Sequence, residues 1–152
     1  METGTYLGDM VAAQLRAFSR IYSIELDPGL AEAARVRFAP WPHVSILQGD
    51  SATVLPVVLR DIDRPCLFWL DGHYSGGITA RGDRVTPIVR ELEAILDHPV
   101  RGHVVLVDDA RLFDGTDDYP TLGELQQILS RHGSWMMECR DDIIRVLDRG
   151  SA

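Results

Sequence analysis

Glu2-Thr3-Gly4-Thr5-Tyr6-Leu7-Gly8 stands almost at the start of the chain, and the fold is read outward from it. Two glycines enter from an acid and lead into the amphipathic run Met10, Val11, Ala13, Leu15 and Phe18. That pattern predicts a ligand-cradling turn followed by a helix. Such a turn sits at the carboxyl end of a buried strand, where backbone can approach a nucleotide and the helix N-terminus offers free N–H groups. Here the strand that should feed it is reduced to Met1. The first strand is therefore expected to be missing or truncated, and the native protein to begin upstream.

Downstream, apolar runs suited to buried strands alternate with helix-period segments. Ile21–Ile24 reads as a strand ending at Glu25, and Asp27-Pro28 as an N-cap and first-turn proline for a helix over Leu30 to Phe38. Val44–Leu47 is a strand ending at Gly49-Asp50, followed by a helix around Thr53 to Ile62. Cys66–Leu70 is a wholly apolar strand ending at Asp71. Gly72 to Val85, with four glycines, reads as a long loop covering the substrate, and Thr86-Pro87 opens a helix running to about His98. Val104–Val107 ends at Asp108-Asp109, Thr121 and Glu124 have capping-box spacing for a helix that stops at Gly133, and Trp135–Arg140 with Ile143–Leu147 read as an antiparallel hairpin. Continuous apolar strands between helices imply a mostly parallel sheet covered on both faces. The expected fold is a doubly wound α/β domain with a C-terminal antiparallel hairpin, a single domain over residues 1–152.

Composition narrows the function. The chain is 45% apolar and 25% charged, as in an ordinary globular domain. It has no run long enough to span a membrane and no signal peptide at its start, so a cytoplasmic protein without membrane association is expected. Cys66 and Cys139 read as buried thiols in a reducing compartment. A net charge of −8 argues against nucleic acid as a partner. All fifteen basic residues are arginine, which excludes P-loop, Schiff-base and kinase-type lysine chemistry.

The acids carry the chemistry. Four apolar strands end in one: Glu25, Asp50, Asp71 and Asp108, the last followed by Asp109. In an open parallel sheet these ends share one rim, and ligands bind there. Glu25 can accept both hydroxyls of a ribose through its two oxygens. Asp50 suits either an exocyclic adenine amine or the N-cap of the following helix. Asp71, Asp108 and Asp109 converging at adjacent strand ends would repel unless a cation or protons intervene, and an all-oxygen set suits a hard divalent ion.

Together, Glu2-x-Gly4-x-x-x-Gly8, Glu25, Gly49-Asp50, Asp71 and Asp108-Asp109 resemble a class I S-adenosylmethionine-dependent methyltransferase of Rossmann-like fold. The resemblance covers nearly the whole chain, hairpin included. It implies S-adenosylmethionine as cofactor, held by Glu2, Thr3, Gly4, Thr5, Tyr6 and Gly8 around its methionine part. Glu25 would hold the ribose, Asp50 and Ser51 the adenine, and Asp71 would also border the cofactor. The acid after the fourth strand and the acid pair after the fifth are similar to the metal-dependent catechol-type and macrocin-type O-methyltransferases. This implies a magnesium ion on Asp71, Asp108 and Asp109, and O-methylation of a small hydroxylated metabolite.

The chain departs from both patterns. Tyr74 stands where the catechol type has a lysine, and His73 where the macrocin type has an acid. His73 is the candidate base or metal ligand, with Asp71 beside it as the second catalytic candidate. Two other readings remain open: a nicotinamide dehydrogenase, against which the missing G-x-G-x-x-G spacing counts, and a truncated, non-catalytic cofactor-binding or interaction domain. A homodimer is compatible with the chain. Arg81-Gly82-Asp83 and the Asp114, Asp117, Asp118 cluster read as ordinary loop and solvated turn, and Trp69, Trp135, Met136 and Met137 as core.

Overall fold

The computed structural model describes residues 1–72, 86–133 and 135–148. Its sheet has seven strands in the order β3-β2-β1-β4-β5-β7-β6. They are β1 (Glu2–Thr3), β2 (Ile21–Glu25), β3 (Val44–Gln48), β4 (Leu67–Leu70), β5 (Val104–Val107), β6 (Trp135–Arg140) and β7 (Ile143–Asp148). The first five are mutually parallel, whereas β7 is antiparallel to both β5 and β6. The doubly wound architecture and its closing hairpin are as expected from the alternation of apolar runs.

The first strand, expected to be missing or truncated, is present and two residues long. Glu2 and Thr3 form it, although they had been assigned to the turn. Glu2 lies level with Ser23 on β2 and Trp69 on β4, and Thr3 with Ile24 and Leu70. Met1 extends the pairing: its carbonyl accepts from Trp69 N–H at 2.9 Å and its amino group donates to the Leu67 carbonyl at 2.6 Å. Three residues thus supply the hydrogen-bond partners that keep β2 and β4 apart at the centre of the sheet.

Helices α1 (Asp9–Gln14) and α2 (Pro28–Phe38) cover one face, where Val11, Ala31, Ala34 and Phe38 pack with Ile21 and Ile46. The other face carries α3 (Ser51–Leu59), α4 (Ile88–Leu96) and α5 (Leu122–Arg131) over a larger core that includes Leu55, Leu92, Ile95, Leu125 and Phe68. Both predicted caps are built: Asp27 accepts from Leu30 N–H, and Thr121 and Glu124 form a capping box. Helix α1 is shorter than its apolar pattern suggested, ending before Leu15, and Phe18 lies outside it, partly exposed.

Strand β6 is an edge, and this overturns two assignments. Cys139 is exposed rather than a buried thiol, and Met136 is exposed rather than core; the two point to opposite faces of this edge strand. Trp135 and Met137 do pack on the core, and Cys66 is half-buried. Among the described residues no helix is long and apolar enough to cross a membrane.

Candidate functional site

Hydrogen bonds that run past the strand ends assemble the rim. Gly4 N–H donates to the Ile24 carbonyl at 2.9 Å, Gly49 N–H to Glu25 at 2.8 Å, Asp71 N–H to Thr3 at 3.1 Å and Asp108 N–H to Leu70 at 3.1 Å. Register therefore brings the glycine turn, Glu25, Gly49-Asp50, Asp71 and Asp108 to one edge of the sheet. Gly4 has φ +83°, and a Cβ there would lie 2.9 Å from the Asp71 carbonyl carbon and closer still to its oxygen. Only glycine lets the turn press against the end of β4. Gly8 (φ +81°) has another reason: a Cβ would strike Phe38 at 2.7 Å, so this glycine serves the packing of α1 on α2.

Glu25 is buried, and its carboxylate holds the turn from below. One oxygen accepts from Tyr6 N–H at 2.8 Å and the other from Asp27 N–H at 2.9 Å. Each oxygen keeps a second lone pair, so ribose hydroxyls could still be accepted alongside these bonds. The first bond fixes Tyr6 at φ 48°, a left-handed conformation that exposes its ring. Glu2 lies within β1. Buried at 5% exposure, it accepts from Ser23 Oγ, which also bonds Thr5 Oγ1 at 2.6 Å. Burial raises its pKa to about 7 against the pull of that hydroxyl. Asp50 is the N-cap of α3, its carboxylate accepting from Ala52 N–H at 2.9 Å.

The three acids expected to bind magnesium are brought to neighbouring strand ends but are not equivalent. Burial raises the Asp108 pKa, and the charges of Asp71, Asp109 and Asp142 add to the rise. Asp109 sits at φ 56°, and the turn aims its carboxylate at Arg111, 2.7 Å away. Arg111 also pairs with Asp142 and bonds it through its backbone N–H at 2.9 Å. The site thus supplies its own cation. Among the described residues no three of His, Cys, Asp and Glu are grouped closely enough to hold a metal ion, and Asp109 is engaged by Arg111. His73, Tyr74 and the Arg81-Gly82-Asp83 stretch lie outside the described residues.

Three features went unread in the sequence. A narrow cavity between β4, β5 and α4 is bordered by Asp71, Gly72, Asp108 and Glu91, with Phe113 and Tyr119 beside it. The two rings meet edge to face at 5.2 Å. Glu91 is 1% exposed, on the buried face of α4. Its signal was present, since an acid interrupts the stripe Ile88, Leu92, Ile95 at core-facing positions. Nothing in the spacing of Arg111 marks it as the partner of Asp109.

No family model and no curated protein matches the chain. Solved structures do. The chain aligns with the SAH-bound O-methyltransferase from Bacillus cereus at TM-score 0.67 and 15% identity, covering 97% of this chain and 72% of that one. It aligns with the SAM complex of the O-methyltransferase TomG of Streptomyces achromogenes, involved in tomaymycin synthesis, at TM-score 0.65 and 20% identity, covering 96% and 70%. The SAH-bound methyltransferase PaMTH1 of Podospora anserina gives TM-score 0.63 at 17% identity, covering 97% and 69%. At such identities the likeness establishes the fold alone, a Rossmann-type α/β domain shared with these methyltransferases.

Proposed function

We propose that the chain binds S-adenosylmethionine at the rim of β1, β2, β3 and β4 and serves methyl transfer. One observation carries the reading: the Gly4 turn is pressed onto the end of β4 while Glu25, at the next strand end, grips the same turn by Tyr6 N–H. That places open backbone beside a buried acid at the topological switch point of a parallel sheet. Glu25 would accept the ribose hydroxyls, Asp50 and Ser51 would border the adenine, and Thr3, Gly4 and Thr5 would face the amino-acid part. Bound there, the cofactor supplies an electrophilic methyl carbon. Asp71 and His73 are the proposed groups that orient the acceptor and take its proton.

The narrower reading is magnesium-assisted O-methylation of a small hydroxylated metabolite. It rests on Asp71, Asp108 and Asp109 following the neighbouring strands β4 and β5, and it requires Asp109 to give up Arg111. Methyl transfer that survives both EDTA and Asp108→Asn would remove the ion from the reaction.

Titration calorimetry tests the cofactor. S-adenosylhomocysteine is expected to bind and NAD not to compete. Glu25→Ala should weaken binding tenfold or more, about 1.4 kcal/mol. Absence of binding heat from protein shown to be folded by circular dichroism would sink the proposal, and NAD binding at that site would replace it with a dehydrogenase-type function.

A further inference from the structure

We infer that Glu91 is a positioning residue for the cofactor rim, tying the ends of β1, β3 and β4 together from α4 through the hydroxyls of Thr3 and Ser51. The inference rests on the cofactor reading above. Its basis is a convergence of buried oxygens. A point one bond from the Gly72 Cα, where a Cβ would stand, lies 3.2 Å from Thr3 Oγ1, 3.4 Å from Glu91 Oε1 and 3.4 Å from Ser51 Oγ. Thr3 is the last residue of β1, next to the Gly4 turn. Ser51 is the first of α3, next to Asp50. Gly72 follows Asp71. Three of the crossover points that frame the proposed site thus meet at one side chain that belongs to none of them.

Thr3 and Glu91 are 0% and 1% exposed, and neither Thr3 Oγ1 nor Glu91 Oε1 has a hydrogen-bond partner among the described residues. Buried polar atoms left so are rare and costly. A hydrogen bond between the two would resolve both, and a neutral carboxyl can make it in either sense, donating or accepting, where a carboxylate only accepts. The surroundings favour that form. Burial raises the Glu91 pKa to about 7; the Ser51 and Thr3 hydroxyls oppose the rise, and the charges of Asp50 and Asp71 add to it. Asp108, at the end of β5, and Tyr119 border the same cavity. Neutral Glu91 is a donor to the cluster; ionised, it is a buried charge facing other acids.

The test compares wild type with Glu91→Gln, Glu91→Ala and Thr3→Val by S-adenosylhomocysteine calorimetry and by ligand-free urea unfolding across pH 5 to 9. Glutamine keeps a neutral donor, so Glu91→Gln should retain near-neutral affinity while Glu91→Ala loses about tenfold. Wild-type affinity should fall about tenfold between pH 7 and 8.5 as the competent neutral fraction shrinks, and Glu91→Gln should not follow it. Thr3→Val removes a hydroxyl that lowers the pKa, so its affinity loss should move to higher pH. Equal weakening in Glu91→Gln and Glu91→Ala, or a wild-type pH profile retained in Glu91→Gln, would overturn the inference. If no variant binds, the cofactor reading falls, and unfolding decides for Glu91. The folded state binds the extra proton, so wild-type stability should drop relative to Glu91→Gln as pH rises from about 5 through 7. No such difference would overturn the positioning role.

Discussion

Gly4 shows how one backbone angle joins two parts of the site. The turn reaches the end of β4 because no side chain intervenes, so Gly4→Ala must both strain φ +83° and push back the Asp71 carbonyl. The expected cost is about 2 to 4 kcal/mol, read as a lower urea midpoint, with loss of cofactor-product binding in the fraction that still folds. Arg111 offers the opposite experiment. It neutralises Asp109 and Asp142 beside Asp108. Arg111→Ala should free Asp109 and strengthen Mn2+ binding about tenfold over wild type, measured by the loss of free-ion signal in electron paramagnetic resonance. Unchanged Mn2+ affinity would mean that Asp109 is held away by its backbone alone. Glu25 and Asp50 were legible in the sequence because an acid closing an apolar run can only lie at a strand end. The direction of Asp109 was not, since a left-handed φ at an aspartate leaves no mark in spacing. Gly8 was legible as a required glycine for a different reason, the nearness of Phe38.

At the scale of elements, the end of the sheet opposite the site is fastened by a hydrogen-bond relay. Cys66 N–H, just before β4, donates to His103 Nδ1 at 3.0 Å. The proton of His103 must then reside on Nε2, which donates to His98 Nδ1 at 2.9 Å, and His98 Nε2–H donates to the Leu59 carbonyl at 2.9 Å. The chain of donors has one consistent direction, and only with both imidazoles neutral. Burial, reinforced by His98, holds the His103 pKa down to about 4. The unfolded state therefore takes up the proton first, and this contribution to stability is complete above about pH 6.5 and lost as pH falls toward 4. Glu2 and Glu91 titrate in the opposite sense over part of that range. The comparison should therefore be with His103→Asn, whose carbonyl can still accept from Cys66 N–H. Wild type should lose about 2 kcal/mol relative to that variant between pH 7 and 4.5 in urea unfolding. Nitrogen shifts of both rings should report the Nε2–H form at neutral pH. Periodicity revealed these elements but not their fastening, because two histidines beside a helix end and a strand start look like any pair of polar loop residues. The same limit misjudged β6: an apolar strand pattern does not tell whether a neighbour covers it, so Cys139 and Met136 read as buried.

For the whole molecule, the strand order places the proposed cofactor across its middle. β1 is the third strand from the β3 edge, between β2 and β4, and α1 and α2 pack on one face while α3 to α5 pack on the other. This arrangement was legible because alternating apolar strands and helices admit few topologies. The length of β1 was not, because two residues are too few for any pattern to show. A ligand spanning the ends of β1, β2, β3 and β4 touches loops that lead into both helix layers, and β1 itself contributes only two ladder residues to each neighbour. Binding should consequently stabilise the entire domain rather than one half. At a hundredfold excess over the dissociation constant, S-adenosylhomocysteine should add about 2.7 kcal/mol to the unfolding free energy, which for a chain of this size raises Tm by roughly 5 to 10 °C. Trp69 lies on β4, next to β1, and Trp41 lies before β3 at the far end of the sheet from the rim, so tryptophan fluorescence reports on both sides of β1 and should shift together with far-ultraviolet circular dichroism. A single coincident transition with and without ligand is the expected result. A ligand that raised only one of two separated transitions would show that the two sides of β1 unfold independently, and that its two residues are too short a bridge to couple them.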